Sequence, residues 1–345
     1  MTSREDYFPV EGDDERKKHC RVCGSRVARL YKGSGGRRCV VCLHRTHGEH
    51  MAKNNRVCLE CSREELSVNN NRNARPVSIS ILHVSDLHLT PEGGEEPAVL
   101  KKWLAARDID YILISGDLTA KSAREEYEAA AGWIRDVEQA GTSVVVVPGN
   151  HDIGYWGNPI SLGRHIIGKK YHWWIEIIDR PIEPCIRGPF FVSVGLNSAH
   201  GISPTRLVNG YLNRNQRARA REVLKVTPAD HLKVVFCHHP LVMFERSFHK
   251  AMLRADEVRN DITEAGADLL LWGHQHNFET TVIEKYGKKS IAVQSPTLSE
   301  RTRYGDKNPG FVVVSWFFNN RAVINSYSIV DKSIIKEEKS VEYKM

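Results

Sequence analysis

No apolar run in this 345-residue chain approaches the roughly 18 residues that a membrane-spanning helix needs. The first residues, Met1 to Asp14, are polar and acidic, and they lack the basic start and apolar stretch of a secretion signal. The expectation is therefore a cytoplasmic protein without a transmembrane segment. Internal repeats and low-complexity tracts are absent too, which excludes solenoid and fibrous architectures. Beyond residue 61 cysteine is scarce, with only Cys185 and Cys237. Cys237 ends an apolar run (Val234, Val235, Phe236) and reads as a core residue.

The other six of eight cysteines lie between Cys20 and Cys61, all in Cys-x-x-Cys pairs. A cytosolic protein keeps thiols reduced, so such clustering points to metal rather than to disulfides. Charge is also uneven. The chain carries a net +7, and residues 1–75 hold 16 Lys/Arg against 10 Asp/Glu, so nearly all the excess lies there. A basic segment attracts nucleic acid, acidic lipid or an acidic partner, or is simply a solvated surface.

Composition divides the chain into five segments. Residues 1–18 are charged and irregular and read as disordered. Residues 19–64 form the cysteine-rich block, and 65–77 have the Asn-rich composition of a linker. Residues 78–332 alternate strand-like and helix-like stretches. Residues 333–345 read as a charged tail.

Within 78–332, strand-like runs cover Ile79–Val84, Tyr111–Ile114, Val144–Val147, Phe190–Leu196, Leu232–Phe236 and Leu269–Trp272. Residues 96–107 and 122–140 look helical, with Ser122 as N-cap of the second. This alternation predicts an α/β layered architecture. After Gln275 only strands follow, at 278–285, 289–294, 310–317 and 321–329.

Five of these runs end in metal-binding residue types: Asp86-Leu87-His88, Gly116-Asp117, Gly149-Asn150-His151-Asp152, His238-His239-Pro240 and Gly273-His274-Gln275-His276. Loops at the carboxyl ends of strands converge on one crevice in open α/β sheets. Asp86 with His88, and His274 with His276, can point to one side if the backbone is extended there, each pair gripping one site. Mixed imidazole, carboxylate and amide ligands suit Zn, Fe or Mn. A carboxylate can bridge two ions about 3.5–4 Å apart, an arrangement that clamps both the attacking and leaving oxygens and lowers a bound water's pKa toward about 7. Singly, each motif is as readily structural as functional; the ordered set at strand ends is what points to chemistry.

Over residues 78–332 this set resembles the calcineurin-like metallophosphoesterase family, whose pattern is Asp-x-His, Gly-Asp, Gly-Asn-His-Asp/Glu, a later His and Gly-His-x-His. The resemblance implies a four-layer α/β/β/α sandwich and a hydrolase with a binuclear metal centre. It implies Asp86, His88 and His276 on a first metal, Asn150, His238 and His274 on a second, and Asp117 bridging. His151 would be a non-ligand catalytic histidine on the phosphate oxygen, with Asp152 orienting its ring. A hydroxide bridging the ions would be the nucleophile. His238 is preferred to His239 by its place relative to Pro240 in the family pattern; His239 would lie near the leaving group or be structural. Gly-Asp continues here as Leu118-Thr119, and the later histidine stands in His-His-Pro-Leu. These details look like the branch of phosphodiesterases acting on cyclic nucleotides and other small phosphodiesters. A nuclease or phosphomonoesterase on the same centre, and a zinc-finger adaptor with a ligand-binding esterase domain, are the alternatives. The basic loop Ser295–Arg303 either contacts phosphate or is solvated. Trp156, Trp173 and Trp174 in the 154–188 insertion either cap the site or belong to the core.

In the amino-terminal block, Cys20-x2-Cys23, Cys39-x2-Cys42, His47-x2-His50 and Cys58-x2-Cys61 make four paired-ligand units. These suffice for two tetrahedral structural zinc sites that stabilise a segment too short for its own core. Cys39-x2-Cys42-x4-His47-x2-His50 resembles the inner spacing of FYVE-type fingers, and more widely the RING/FYVE cross-brace group, which implies that the first and third pairs share one zinc and the second and fourth the other. The lipid-binding basic run of that family is reduced to Arg37-Arg38, which removes its main basis for phosphoinositide binding. His44 competes with His47 and His50 as a ligand, and reduced thiols without metal are the alternative to a finger. Its partner, whether protein, nucleic acid or acidic lipid, is open. Elemental analysis of the purified chain is expected to give at least about two zinc ions per molecule; a zinc content near zero sinks the cross-brace reading.

Overall fold

The computed structural model describes residues 76–139, 142–153, 170–199, 209–247, 249–301 and 308–345, together with the backbone of two short strands near the amino terminus. Those strands, β1 (Arg37–Arg38) and β2 (Arg45–Thr46), pair antiparallel. They bracket Cys39 and Cys42 in sequence. Cys20, Cys23, Cys39, Cys42, His44, His47, His50, Cys58 and Cys61 themselves lie outside the described residues, as do the segments read as disordered (1–18) and most of the linker.

Two six-stranded sheets make up the body. The first runs β14 (Ile334–Lys344), β13 (Arg321–Val330), β12 (Gly310–Phe317), β3 (Ser78–Val84), β4 (Tyr111–Ile114) and β5 (Ser143–Val146). The second runs β10 (Glu279–Lys285), β11 (Lys288–Gln294), β9 (Leu269–Trp272), β8 (Leu232–Phe236), β7 (Phe191–Gly195) and β6 (Cys185–Gly188). In each, the strands that carry the motifs are parallel: β3–β4–β5 in one sheet, β7–β8–β9 in the other. A parallel neighbour requires a crossover, and helices supply most of these. They are α1 (Glu95–Leu104), α2 (Arg124–Glu138), α4 (Arg214–Val226) and α5 (Ala255–Glu264), while the four-residue α3 (Asn150–Ile153) lies directly at a strand end.

The period-2 alternation of each strand sorts its side chains between two faces. Ile79, Ile81, Leu113 and Val145 face Leu232, Val234, Leu269 and Leu271 in a core between the sheets. The residues in between, Leu82, Val84, Ile112 and Val144, pack outward on Tyr127, Ala130, Ile134 and Val137 of α2. Those four recur at helical spacing, so one stripe of α2 is apolar. Val235, Leu270 and Trp272 likewise pack on Val223 of α4 and Val258 and Ile262 of α5. The layers therefore run helix, sheet, sheet, helix. Both faces of the central strands are buried, which is why their sequences are continuous apolar runs. No helix of the described residues is long and apolar enough to cross a membrane.

Two expectations are corrected. Residues 333–345 are not a tail: Ile334–Lys344 is edge strand β14, paired with β13 over its whole length. Its charges hide the alternation, and charge on an edge strand discourages pairing with other chains. Ser122 does not cap α2. It sits at φ 56° and its hydroxyl donates to the Asp152 carbonyl at 3.1 Å; Ala123 is the N-cap residue, and the Glu126 carboxylate takes its N–H at 3.1 Å. Of the two readings for the tryptophans, the core one holds: Trp174 is fully buried in the α2-side core and Trp173 packs against that core. Trp156 lies outside the described residues.

Phe236, fully buried between the sheets, tests this packing. Phe236→Ala is expected to cost about 3–5 kcal/mol in chemical denaturation; a loss below about 1 kcal/mol would show that the inter-sheet core is not tightly packed.

Candidate metal centre

The parallel registers bring the motif-bearing strand ends level. Val84 pairs with Ile114 and Ile114 with Val146; Gly195 pairs with Phe236 and Phe236 with Leu271. Each chain then turns out of the sheet, and the turns stay bonded to one another. Asp86 N–H donates to the Gly116 carbonyl, His88 N–H to that of Asp117 and Gly273 N–H to that of His238, at 3.0, 3.0 and 3.1 Å. The turns are tight. Asp86, His88, Asp117, His274 and His276 all have left-handed backbone, with φ between 44° and 69°. This corrects the extended geometry expected for Asp86-x-His88 and His274-x-His276. The left-handed region costs a non-glycine residue of order 1–3 kcal/mol, and such strain gathers at functional sites. Two glycines make room: a Cβ on Gly149 would lie 2.1 Å from Asp117 Oδ1, and one on Gly273 would lie 2.4 Å from Asp86 Oδ2.

The candidate ligands form two halves around Asp117. In one, His276 Nε2 stands 3.2 Å from Asp86 Oδ1 and 3.4 Å from His88 Nε2, and His88 Nε2 is 3.9 Å from Asp86 Oδ1. In the other, His238 Nε2 stands 3.0 Å from Asn150 Oδ1 and 3.0 Å from His274 Nδ1. Asp117 Oδ2 lies between them, 3.9 Å from His88 Nε2 and 3.4 Å from His238 Nε2. His274 and His276 thus serve different halves rather than gripping one site as a pair. Six of the seven are buried, and Asn150 is half-buried.

Hydrogen-bond bookkeeping shows what these atoms present. His238 Nδ1–H donates to the Ser115 carbonyl at 2.8 Å, and His276 Nδ1–H to that of Arg301 at 2.5 Å. Both rings then turn Nε2 inward. Facing His238 Nε2 are two acceptors, Asn150 Oδ1 and Asp117 Oδ2. Asp86 Oδ1 is buried with no hydrogen-bond donor at all. A proton on His238 Nε2 can serve Asn150 and Asp117, but it leaves Asp86 Oδ1 and His274 Nε2 without a partner; a cation in each half would satisfy all of them. Burial alone would neutralise Asp86 and Asp117, yet the surrounding histidines hold both below the ordinary carboxylate range. Burial drives His88 down to about 3 and His274 well below its usual value, so both are neutral. At His238, burial is outweighed by Asp117 and Asp86, and the ring is lifted to about 9. Two carboxylates and neutral imidazoles, with one imidazole drawing in positive charge, form a donor set that fits divalent transition metals. The groups Asp86/His88/His276 and Asp86/Asp117/His238 each bring their ligand atoms within 4.8 Å of one another.

His151 sits over this centre, its ring 4.7 Å from that of His88. Its Nδ1 bonds the Ala120 carbonyl at 2.8 Å. Asp152 does not orient that ring. Its carboxylate accepts from the backbone N–H groups of Leu118, Thr119 and Gly149 and from the Thr119 hydroxyl, all within 3.2 Å. Asp152 therefore ties the β4 and β5 turns together. Burial and the charge of Asp117 push its pKa up to about 7. His239 stays beside the second half, its ring 4.7 Å from that of His274 and its ligand atom within 4.8 Å of those of His238 and His274; Ser198 Oγ accepts its backbone N–H at 3.1 Å and lies 2.9 Å from its Nδ1. In the basic loop, the Thr297 hydroxyl donates to the Asp86 carbonyl at 2.8 Å, and the Arg301 guanidinium lies 3.4 Å from His88 Nδ1. Ser198 lies three residues past the end of β7, and the ligand types at strand ends do not mark it. The carbonyls of Ser115, Ala120 and Arg301 leave no such mark in a sequence, since any residue carries one.

Residues 79–278 match the family described as calcineurin-like phosphoesterase. No curated protein matches the chain. Among solved structures, the fold is similar to purple acid phosphatase PPD1 from yellow lupin (Lupinus luteus) seeds, with a TM-score of 0.57 and 13% identity, covering 77% of this chain and 54% of that one. This chain thus spans about half the length of the lupin protein. Similarity extends to GAP50, the anchor in the inner membrane complex of Plasmodium, with a TM-score of 0.49 and 13% identity over 76% of this chain and 89% of that one. For a Vps29 mutant from Entamoeba histolytica the TM-score is 0.38, at 18% identity over 77% and 100%. These identities speak to the fold alone. The family match covers more than half of the sequence and includes every strand-end motif, and on that ground the chain belongs to the calcineurin-like phosphoesterases.

Proposed function

We propose that the chain is a binuclear metal-dependent phosphoesterase, with Asp86, His88 and His276 holding one ion, Asn150, His238 and His274 holding the other, and Asp117 bridging them. The observation that carries this reading is the convergence of buried carboxylate and imidazole ligand atoms from separate strand ends, among which Asp86 Oδ1 and His274 Nε2 have no hydrogen-bond partner. When bound, such ions polarise a phosphoryl oxygen and supply a nucleophilic water at neutral pH. The chain's own part is to orient and to neutralise. His151, held by Ala120 at the mouth of the site, offers Nε2 to a phosphate oxygen or to the leaving group. Arg301, on a loop anchored to the Asp86 carbonyl through Thr297, offers a cation beside His88.

The favoured substrates are small phosphodiesters, cyclic nucleotides among them. Support comes from Leu118-Thr119 after Gly-Asp and from His-His-Pro-Leu. Both stretches are built into the site, with Thr119 bonded to Asp152 and His239 to Ser198. The amino-terminal block is read as a two-zinc cross-brace finger whose basic surface takes a partner.

Two measurements check this. Chelator-treated protein is expected to unfold at a lower temperature than protein with added Mn, with a gain of about 2.7 kcal/mol at a hundredfold excess over Kd; no Mn-dependent shift contradicts a metal centre. In a panel of aryl diester, aryl monoester, cyclic nucleotides and single-stranded nucleic acid, the diester and a cyclic nucleotide are expected to be cleaved with Mn. Asp117→Ala should abolish turnover, and His151→Ala should lower kcat by about 10²–10⁴-fold. Cleavage of the monoester alone overturns the substrate class, nucleic-acid cleavage favours a nuclease, and a cellular role that survives Asp117→Ala favours an adaptor.

A further inference from the structure

His83 is a polar residue in a place built for an apolar one. It lies on β3 on the same face as Ile79 and Ile81, toward the core between the sheets, and is fully buried. Its register neighbours are Leu113 and Val312. Burial pushes its pKa down to about 3 against the pull of Asp86, so the ring is neutral. Nδ1 is buried without a hydrogen-bond partner. An unsatisfied buried polar atom costs about 1–3 kcal/mol, and leucine would fill this space without that cost. The return for it lies on the other nitrogen: Nε2 is 2.9 Å from Ser115 Oγ.

Ser115 is the first residue after β4 and is itself fully buried. Its N–H donates to the Val84 carbonyl at 2.9 Å. Its carbonyl accepts His238 Nδ1–H at 2.8 Å and is approached by Ser85 Oγ at 3.4 Å. Two residues on is Asp117. The peptide that aims His238 is thus pinned at three points, and His83 supplies the one that holds the side chain.

We propose that His83 is a positioning residue for the His238 half of the metal centre: by holding Ser115 Oγ it fixes the carbonyl that keeps the proton on His238 Nδ1 and turns Nε2 toward Asn150, His274 and Asp117. This rests on the metal-centre reading above. Partners of metal-ligating histidines orient the ring and raise its basicity, and losing one typically costs 10–100-fold in metal affinity. His83 acts one bond further out, through Ser115.

The test is stepwise Mn titration of the full chain by calorimetry, with the thermal midpoint of the metal-free protein measured alongside. His83→Leu is expected to weaken one of the two binding steps by about 10–100-fold, to leave the other within about twofold, and to leave the metal-free midpoint unchanged or raised. His83→Gln, which keeps a donor for Ser115, should recover most of the affinity. Ser115→Ala keeps the carbonyl but removes the hydroxyl, and should reproduce the loss; the double variant should be no worse than either single one, because both break the same link. Unchanged affinity for both ions in His83→Leu overturns the proposal. So does a fall in metal-free stability with both steps weakened together, since that is what a packing role gives. If Ser115→Ala leaves both steps intact, the route through Ser115 is wrong. Wild-type protein that binds no Mn at all would instead remove the metal-centre reading, and this proposal with it.

Discussion

Acceptor atoms that repel one another are held together at one end of this sandwich, and much of the surrounding structure serves to keep them there. Asn150 Oδ1 and Asp117 Oδ2 stand 3.0 and 3.4 Å from His238 Nε2, with at most one proton among the three, and Asp86 Oδ1 has no hydrogen-bond partner. No chain would collect such atoms by hydrophobic collapse. The cost is visible in the backbone, where five candidate ligands adopt left-handed φ, and in the glycines, where Gly149 and Gly273 let neighbouring turns approach more closely than any side chain permits. Two rigid sheets with parallel central strands meet that cost, since both faces of those strands are packed in apolar cores.

The same arrangement explains why backbone carbonyls are so prominent. A histidine ligand must keep one nitrogen free of its proton, and the surest way is to commit the proton elsewhere. Ser115 does this for His238 and Arg301 for His276, while Ala120 does the equivalent for His151. Each carbonyl lies on a turn already tied to its neighbours, so the rings inherit the rigidity of the sheets. Asp152 belongs to this framework too. Its buried carboxylate bridges the turns after β4 and β5 and does not touch the His151 ring.

Much of this was legible in the sequence. Tyr111–Ile114, Leu232–Phe236 and Leu269–Trp272 coincide with β4, β8 and β9 because strands buried on both faces leave an unmistakable apolar run. The strand ends named the candidate ligands because ligand chemistry is written in side chains. What was not legible has physical reasons as well. The conformation of Asp86-x-His88 is set by the cross-turn bonds to Gly116 and Asp117, which no local propensity encodes. Strand β14 lacked alternation because its residues are mostly exposed and charged. Ser122 has the composition of a cap, yet its hydroxyl goes to the distant Asp152 carbonyl. His83 sat unnoticed inside a strand because a single polar residue in an apolar run looks like noise until its partner, 32 positions away, is known.

Anomalous diffraction from crystals grown with Mn would test the central claim most directly. Two peaks are predicted, one among Asp86, His88 and His276 and one among Asn150, His238 and His274, with Asp117 reaching both. A single peak on surface carboxylates, or none within this cluster, would contradict it.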